Sequence, residues 1–250
     1  MGQAKRRGTR EQRIAQARER DEQVPSLSRT CGSTSRDELL HRIIPIYQQM
    51  DARLAQSPVA IDCQAGCSYC CYYHVLVTPA EALALAEYIS TLPDDARIAI
   101  QARLTATAER VAPLSQRDYI TTNIPCAFLD AGRCSVYAAR PIACRGFHSR
   151  DVAACQRAFD DPHCTDLHPY DAARRHVHVR TKHDFAQAHL EAGCDAAEYE
   201  MHGAVSAALA DPTTFARWCA GTVSFPTVRD RTPVMRDNRS RFFASGDRPS

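Results

Sequence analysis

Nine residues, Cys63-Gln-Ala-Gly-Cys67-Ser-Tyr-Cys70-Cys71, hold four thiols in the spacing C-x3-C-x2-C-C. Thiolates two to four residues apart can turn onto one metal ion, and Cys63, Cys67 and Cys70 meet that rule locally. Cys71 is an awkward fourth ligand to the same tetrahedral ion, because it adjoins Cys70, but it can serve a second ion or a cluster. A second stretch supplies Cys126, Cys134, Cys144 and Cys155. These lie too far apart for local spacing to make them ligands, so their role depends on the fold. Eight soft donors suit zinc, or iron as an iron–sulfur centre such as a 4Fe-4S cluster. Two ions held by four thiolates each would leave a formal double negative charge per site. Arg133, Arg140 and Arg145 adjoin these cysteines and could offset it through hydrogen bonds, or could be solvated surface residues.

The chain has 250 residues, 44% of them apolar, enough for one substantial core, and 12 cysteines. The first ten residues are charged with no apolar run, unlike a signal peptide, and no window of about 18 apolar residues occurs anywhere. A cytoplasmic setting is therefore expected, where a cysteine pattern points to metal or catalysis before disulfides. Metal-free buried thiols are the plainer alternative, but four in nine residues argue against it. The ends are basic: residues 1–20 carry seven Lys and Arg against two Glu, and residues 229–250 six Arg against three Asp. The body between them is acidic. Any nucleic-acid contact would thus be nonspecific and come from the tails. No membrane association is expected, and a protein partner is left open.

The elements that must position the thiols read as helices. Leu40, Ile43, Ile44, Tyr47, Met50 and Leu54 recur at helical spacing, with Pro45 predicted to kink that helix or delay its start. Thr78-Pro79-Ala80-Glu81 is a helix start with a capping box, predicting a helix to about Ser90 that buries Ala82, Leu85, Ile89 and Leu92. A second follows from Pro93, with Ile100, Leu104, Ala108 and Val111 inward. Residues 72–77 are expected to be extended. Asp130-Ala-Gly132 predicts a hairpin-like turn across which Cys126 and Cys134 face each other. Residues 151–159 read as a short helix carrying Cys155; 171–192 and 195–210 as longer helices; and a last short one as holding Phe215 and Trp218. The expected architecture is a mainly α, single helical domain over residues 36–223. Irregular cysteine-rich loops form its metal-binding core at 60–160, and flexible, disordered tails cover 1–35 and 224–250. Cys31 falls in the first tail as a spare thiol.

The two stretches together resemble a known bacterial family. The pattern C-x3-C-x2-C-C followed by P-C-x-F-L-x4-C-x2-Y-x2-R-P-x2-C-R-x-F is carried by Cys63, Cys67, Cys70, Cys71, Pro125, Cys126, Phe128, Leu129, Cys134, Tyr137, Arg140, Pro141, Cys144, Arg145 and Phe147. It is similar to the cysteine-cluster family of zinc- or iron-chelating domains over about residues 60–160. That resemblance implies eight ligands, with Cys155 as the eighth. Flagellin lysine methylases look similar in their cysteine pattern, which implies iron–sulfur-dependent methyl transfer as the alternative activity. C-x3-C-x2-C with Tyr69 before its last Cys also matches the cluster motif of radical S-adenosylmethionine enzymes. Those need alternating strands and helices after the motif, and none are read here.

The remaining candidates are weaker. His74, His148, His163 and His168 lie near the cysteines and could ligate metal, but a lone histidine is more simply a solvated side chain. His176, His178 and His183 form no site. Cys164, Cys194 and Cys219 are isolated and read as packing residues. No Ser, His and Asp spacing suggests a hydrolytic triad. The expected function is metal-ion binding, with catalysis left undecided.

Overall fold

The computed structural model describes residues 38–164 and 168–228. The expectations for residues 1–35, for Cys31 and for residues 229–250 lie outside the described residues. Helix α1 (Leu39–Ala55) begins before Pro45 and continues through it. Pro45 is on the exposed side, so water can satisfy the carbonyl whose helical partner is missing. The buried face is Leu39, Ile43, Ile46, Tyr47 and Met50. Leu40, Ile44 and Leu54 are only half-buried, so the face is rotated slightly from the one expected.

Helix α2 (Pro79–Ser90) starts and ends where its signals place it. Thr78 N–H donates to Glu81 Oε2 at 2.9 Å, and Glu81 N–H donates to Thr78 Oγ1 at 3.4 Å. Pro79 through Ala86 are all buried, so this apolar helix is the centre of the core rather than a surface element. Helix α3 (Asp94–Val111) buries Ile100, Leu104 and Val111. A short α4 (Gln116–Thr121), capped by Ser115, was not anticipated. Helices α5 (Ile142–Gly146) and α6 (Val152–Asp160) carry Cys144 and Cys155. Helix α7 (Ala172–Glu191), α8 (Met201–Ala210) and α9 (Thr214–Cys219) complete the set. Packing runs through the molecule in sequence: α3 on α8, α8 on α2, α2 on α1, α1 on α7, and α7 on α5.

Two short antiparallel ladders stitch the loops. Strand β1 (Leu76–Val77) pairs with β4 (Tyr199–Glu200), and β2 (Leu129–Asp130) with β3 (Arg133–Cys134). The first ladder overturns the expectation of helix from 195: residues 199–200 are extended because they pair with Leu76 and Val77. The expected loose tail from Ser224 is also corrected. Ser224 and Phe225 are fully buried, and Asp195 Oδ2 accepts from Ser224 N–H and Oγ–H at 2.9 and 2.7 Å. Phe225 adds a ring contact with Tyr199 at 5.1 Å.

Two packing details carry measurable consequences. Helix α5 approaches α7 at Gly146, where an added Cβ would stand 2.2 Å from His178 Cγ. Gly146→Ala should therefore cost about 1–3 kcal/mol in urea unfolding, and adding His178→Ala should recover part of the loss. The second detail is His189, fully buried against Phe185 and Trp218 with ring centroids 4.5 and 5.5 Å away. Burial holds its pKa down to about 4. In the unfolded chain it titrates near its ordinary value of 6.5, so the unfolded state binds the proton first. Stability should thus be lost as pH falls from 6.5 towards about 4, by roughly 3 kcal/mol for this group. His189→Leu should flatten that part of a stability–pH curve.

Candidate metal centre

The first thiol loop turns at Gly66, whose φ of +91° is costly for any residue with a Cβ. Cys67 N–H then donates to Gln64 O at 3.1 Å, and Cys71 N–H to Ser68 O at 2.9 Å, opening a 3-10 turn at Tyr69–Tyr72. Tyr69 and Tyr72 press their rings on Phe159 of α6, at 5.7 and 4.8 Å. That contact brings Cys155 of the same helix to the loop. Asp62 reinforces it: its N–H donates to Ser149 O at 3.0 Å, and its Oδ2 accepts from Val152 N–H at 3.0 Å. Ser149 N–H lies against Cys63 Sγ at 3.3 Å.

The second stretch docks on the first through Cys126, whose N–H donates to Cys71 O at 2.8 Å. The turn at Ala131 and Gly132, with φ of +45° and +76°, folds β2 back on β3. The register sets Cys134 opposite Leu129, not opposite Cys126 as expected. Cys126 precedes the ladder and approaches Cys134 from the loop. Cys144 is placed by Glu81. The carboxylate oxygen not used in the capping box, Oε1, accepts from Ile142 N–H at 2.9 Å and so caps α5 as well. One side chain thus anchors both the central helix and the helix bearing a candidate ligand.

The electrostatics sort the thiols into two groups. Burial pushes the Cys63 and Cys155 thiols up, and both then feel Cys67 and Cys70, Cys155 feeling Cys63 as well. Burial likewise pushes up Cys134 and, well above the ordinary range, Cys144; these feel Cys126 and Cys70. Cys70 stands at the junction, raised first by its hydrogen bond with Cys71 and then by burial. Arg140 opposes the rise at Cys70, Cys134 and Cys144. Its guanidinium stacks over Tyr137 at 4.0 Å, and its buried Nε makes no hydrogen bond. Arg145, by contrast, points away: it sits over Tyr47 at 4.4 Å, donates to Asp51 Oδ2 at 2.5 Å and to Arg140 O at 2.8 Å, and also to Ala138 O. Arg133 is exposed. Of the three arginines, Arg140 is the one with its charge on the thiols.

All eight candidate cysteines are free. They span Cys63, which is exposed, to Cys155, which is buried, and the other six are half-buried. Among the described residues no three His, Cys, Asp or Glu side chains already converge on a point that could hold an ion. The donor set nonetheless fits a thiophilic metal: soft sulfurs from four chain segments, mutually coupled, with a cation beside them. Binding would displace the thiol protons.

The four histidines expected near the cysteines are mostly taken. Asp171 N–H donates to His148 Nε2 at 2.9 Å, while its Nδ1 stands 2.9 Å from Gly146 O. His74 bonds Thr122 O at 2.9 Å, and His168 lies 3.3 Å from the Tyr73 hydroxyl. His163 is exposed. The histidine that reaches the second cysteine stretch is His202 of α8, which no local spacing indicated: its Nε2 accepts from Ala127 N–H at 3.3 Å. Its Nδ1 lies 2.8 Å from Glu200 Oε1, with the two side chains 3% and 5% exposed. Burial alone would lower its pKa, but hydrogen bonds with Cys126 and Glu200 outweigh it and raise it to about 10. Of the isolated cysteines, Cys164 and Cys219 are in no disulfide, while Cys194 is disulfide-bonded.

The segment from Asp62 through the second stretch, residues 62–165, matches the family model CxxCxxCC, described as "Putative zinc- or iron-chelating domain". Residues 62–165 are thus similar to this family. All eight candidate cysteines fall inside it. Searches of curated proteins and of solved structures returned no match. Against the spacing in the CxxCxxCC name, this chain has one extra residue between Cys63 and Cys67, and Gly66 with its positive φ lies in that interval. The rest of the chain packs around this segment: α1, α7 and α8 join the segment's own α2 in the core on which its loops rest. Among the described residues no helix is long and apolar enough to cross a membrane.

Proposed function

We propose that this protein is a metal chelator whose two cysteine stretches close over zinc or iron in two adjoining thiolate groups. Cys63, Cys67, Cys70 and Cys155 make the first; Cys71, Cys126, Cys134 and Cys144 make the second. The observation that carries this is that the two cysteine stretches, separated by a whole helical pair in sequence, dock on each other through the Cys126 N–H to Cys71 O hydrogen bond with all eight thiols free. A bound ion would supply charge neutralisation and cross-linking of loops that otherwise hang on few apolar contacts. Arg140 and the buried hydrogen bonds around the thiols would moderate the negative charge left by four thiolates.

Elemental analysis and an absorption spectrum of protein purified without oxygen test this directly. About two zinc ions per chain and no visible colour is the expected result, since zinc is colourless. Iron with acid-labile sulfide would instead favour the iron–sulfur alternative and the methyl transfer that goes with it. The cavity of about 270 Å³ lined by Tyr72, Tyr73, His74, Tyr119, Asn123 and His168 would then be the place to look for a substrate. Absence of any stoichiometric metal, even after reconstitution under reducing conditions, would overturn chelation altogether.

A further inference from the structure

A backbone N–H turned away from water in a loop almost always finds an acceptor, and the usual one is an oxygen. At Ser149, which is 1% exposed, the acceptor is a sulfur: the Ser149 N–H donates to Cys63 Sγ at 3.3 Å. Three features hold that amide in place. Asp62 N–H donates to Ser149 O at 3.0 Å, so the run Asp62-Cys63 and Ser149 exchange two hydrogen bonds, one of them ending on a thiol side chain. The Ser149 hydroxyl is used locally, donating to Asp151 O at 2.8 Å and accepting from Asp151 N–H at 3.1 Å, which closes a turn just before α6. At the next residue, Arg150 N–H donates to Pro169 O at 2.8 Å. The amide therefore meets the sulfur with its direction already set by its neighbours. Cys63 is the exposed thiol among the eight candidates, so packing does least to orient it. The reverse contact is weak. The Cys63 thiol as donor stands 3.9 Å from Ser149 O, and that carbonyl already receives Asp62 N–H. The surroundings thus offer the sulfur a donor, which suits a thiolate, and only a distant acceptor for a thiol proton.

We propose that Ser149 is the positioning residue for Cys63: its backbone N–H holds the exposed sulfur at the start of α6, the helix of Cys155, and bonds the thiolate once the metal is bound and the thiol proton has left to water. A hydrogen bond to an ionised acceptor is about twice as strong as one to a neutral group, so the contact tightens on loading. Partners that orient a metal ligand in this way are typically worth about 10–100-fold in affinity. The proposal rests on the chelation reading above. It assigns the join between the first cysteine stretch and the helix of Cys155 to a main-chain group, which no side-chain motif records.

The test uses the full chain, isotopically labelled for NMR and loaded with a spin-half cadmium isotope in place of zinc. The expected result is a scalar coupling between the cadmium nucleus and the Ser149 amide proton, which passes through the N–H···S bond and the sulfur–metal bond together. If the Cys63 β-protons couple to cadmium and the Ser149 amide proton does not, this inference alone has failed. If neither couples, the chelation reading of Cys63 has failed and takes this inference with it. Zinc affinity, measured by chelator competition, then separates a working bond from a bystander. Ser149→Pro deletes the N–H and should weaken zinc binding about 10–100-fold, whereas Ser149→Ala keeps the amide and should lose less than about tenfold. In a Cys63→Ser background, Ser149→Pro should have no further effect on affinity. Wild-type affinity in a folded Ser149→Pro overturns the proposal. An equal loss in Ser149→Ala also overturns it, since the hydroxyl's turn and not the amide would then carry the effect. If Ser149→Pro does not fold, the cadmium coupling in the wild-type chain decides by itself.

Discussion

Cys144→Ser is expected to empty the second thiol group while leaving the first loaded, so that bound metal falls by about half. Serine occupies nearly the same volume, but its hydroxyl does not ionise near neutral pH and is a hard donor, so a thiophilic metal loses one of four bonds. Cys67→Ser should do the same to the first group. Cys70→Ser should disturb both, because Cys70 couples to Cys63 and Cys155 on one side and to Cys134 and Cys144 on the other. Stability should follow the metal. A ligand at a thousand times its dissociation constant adds about 4 kcal/mol to the folded state, and the variants should forfeit that share for the centre they lose. With a strong chelator present, wild type and Cys144→Ser should converge, since the Ser substitution then removes only a half-exposed thiol. Metal per chain by elemental analysis and thermal midpoints with and without chelator are the two readouts. Unchanged metal in both Cys67→Ser and Cys144→Ser would overturn the two-group arrangement.

Arg145→Ala should be the most destabilising single change that touches no thiol, at about 3–5 kcal/mol in the metal-free protein. The side chain is 4% exposed and ties α1 to the Arg140–Cys144 loop through Asp51, Arg140 O and Ala138 O. Truncating it strands two carbonyls and empties the space over Tyr47. Asp51→Asn should cost far less, because Asp51 is 43% exposed and water can replace the arginine. Arg145→Lys should rescue little, since an ammonium cannot span three acceptors set by a planar fork. Urea unfolding of the three variants ranks them. Equal losses in Arg145→Ala and Asp51→Asn would show that the exposed ion pair, not the buried carbonyl contacts, carries the effect.

Much of the helical frame was legible because its signals are local. Thr78, Pro79 and Glu81 start α2 by hydrogen bonds three residues apart, and the structure has that helix from Pro79 to Ser90. The faces of α1 and α3 followed from helical spacing, to within a rotation. Failures came where distant partners intervened. Residues 199–200 compose well as helix but are extended, because Leu76 and Val77 offer them a ladder. Ser224 and Phe225 sit in Pro- and Arg-rich sequence, yet Asp195 and Tyr199 bury them. Arg145 reads like a surface cation until Asp51, 94 residues away, closes over it.

The same division runs through the site. The sequence by itself determined which atoms are available: eight thiols in two stretches, a motif dense enough to assign a family, and a capping glutamate beside them. Thiol identity and short-range spacing are properties of the chain, so no fold is needed to read them. Only the tertiary structure decided the grouping. Cys63 meets Ser149 across 86 residues, Cys126 takes the Cys71 carbonyl, and Glu81 reaches Ile142 across 61 residues to place Cys144. His202 reaches the Cys126–Ala127 loop across 75 residues, from beyond the family motif. Such pairings depend on which buried donors and acceptors the core leaves for one another. That is set by packing over the whole chain, and no local spacing records it.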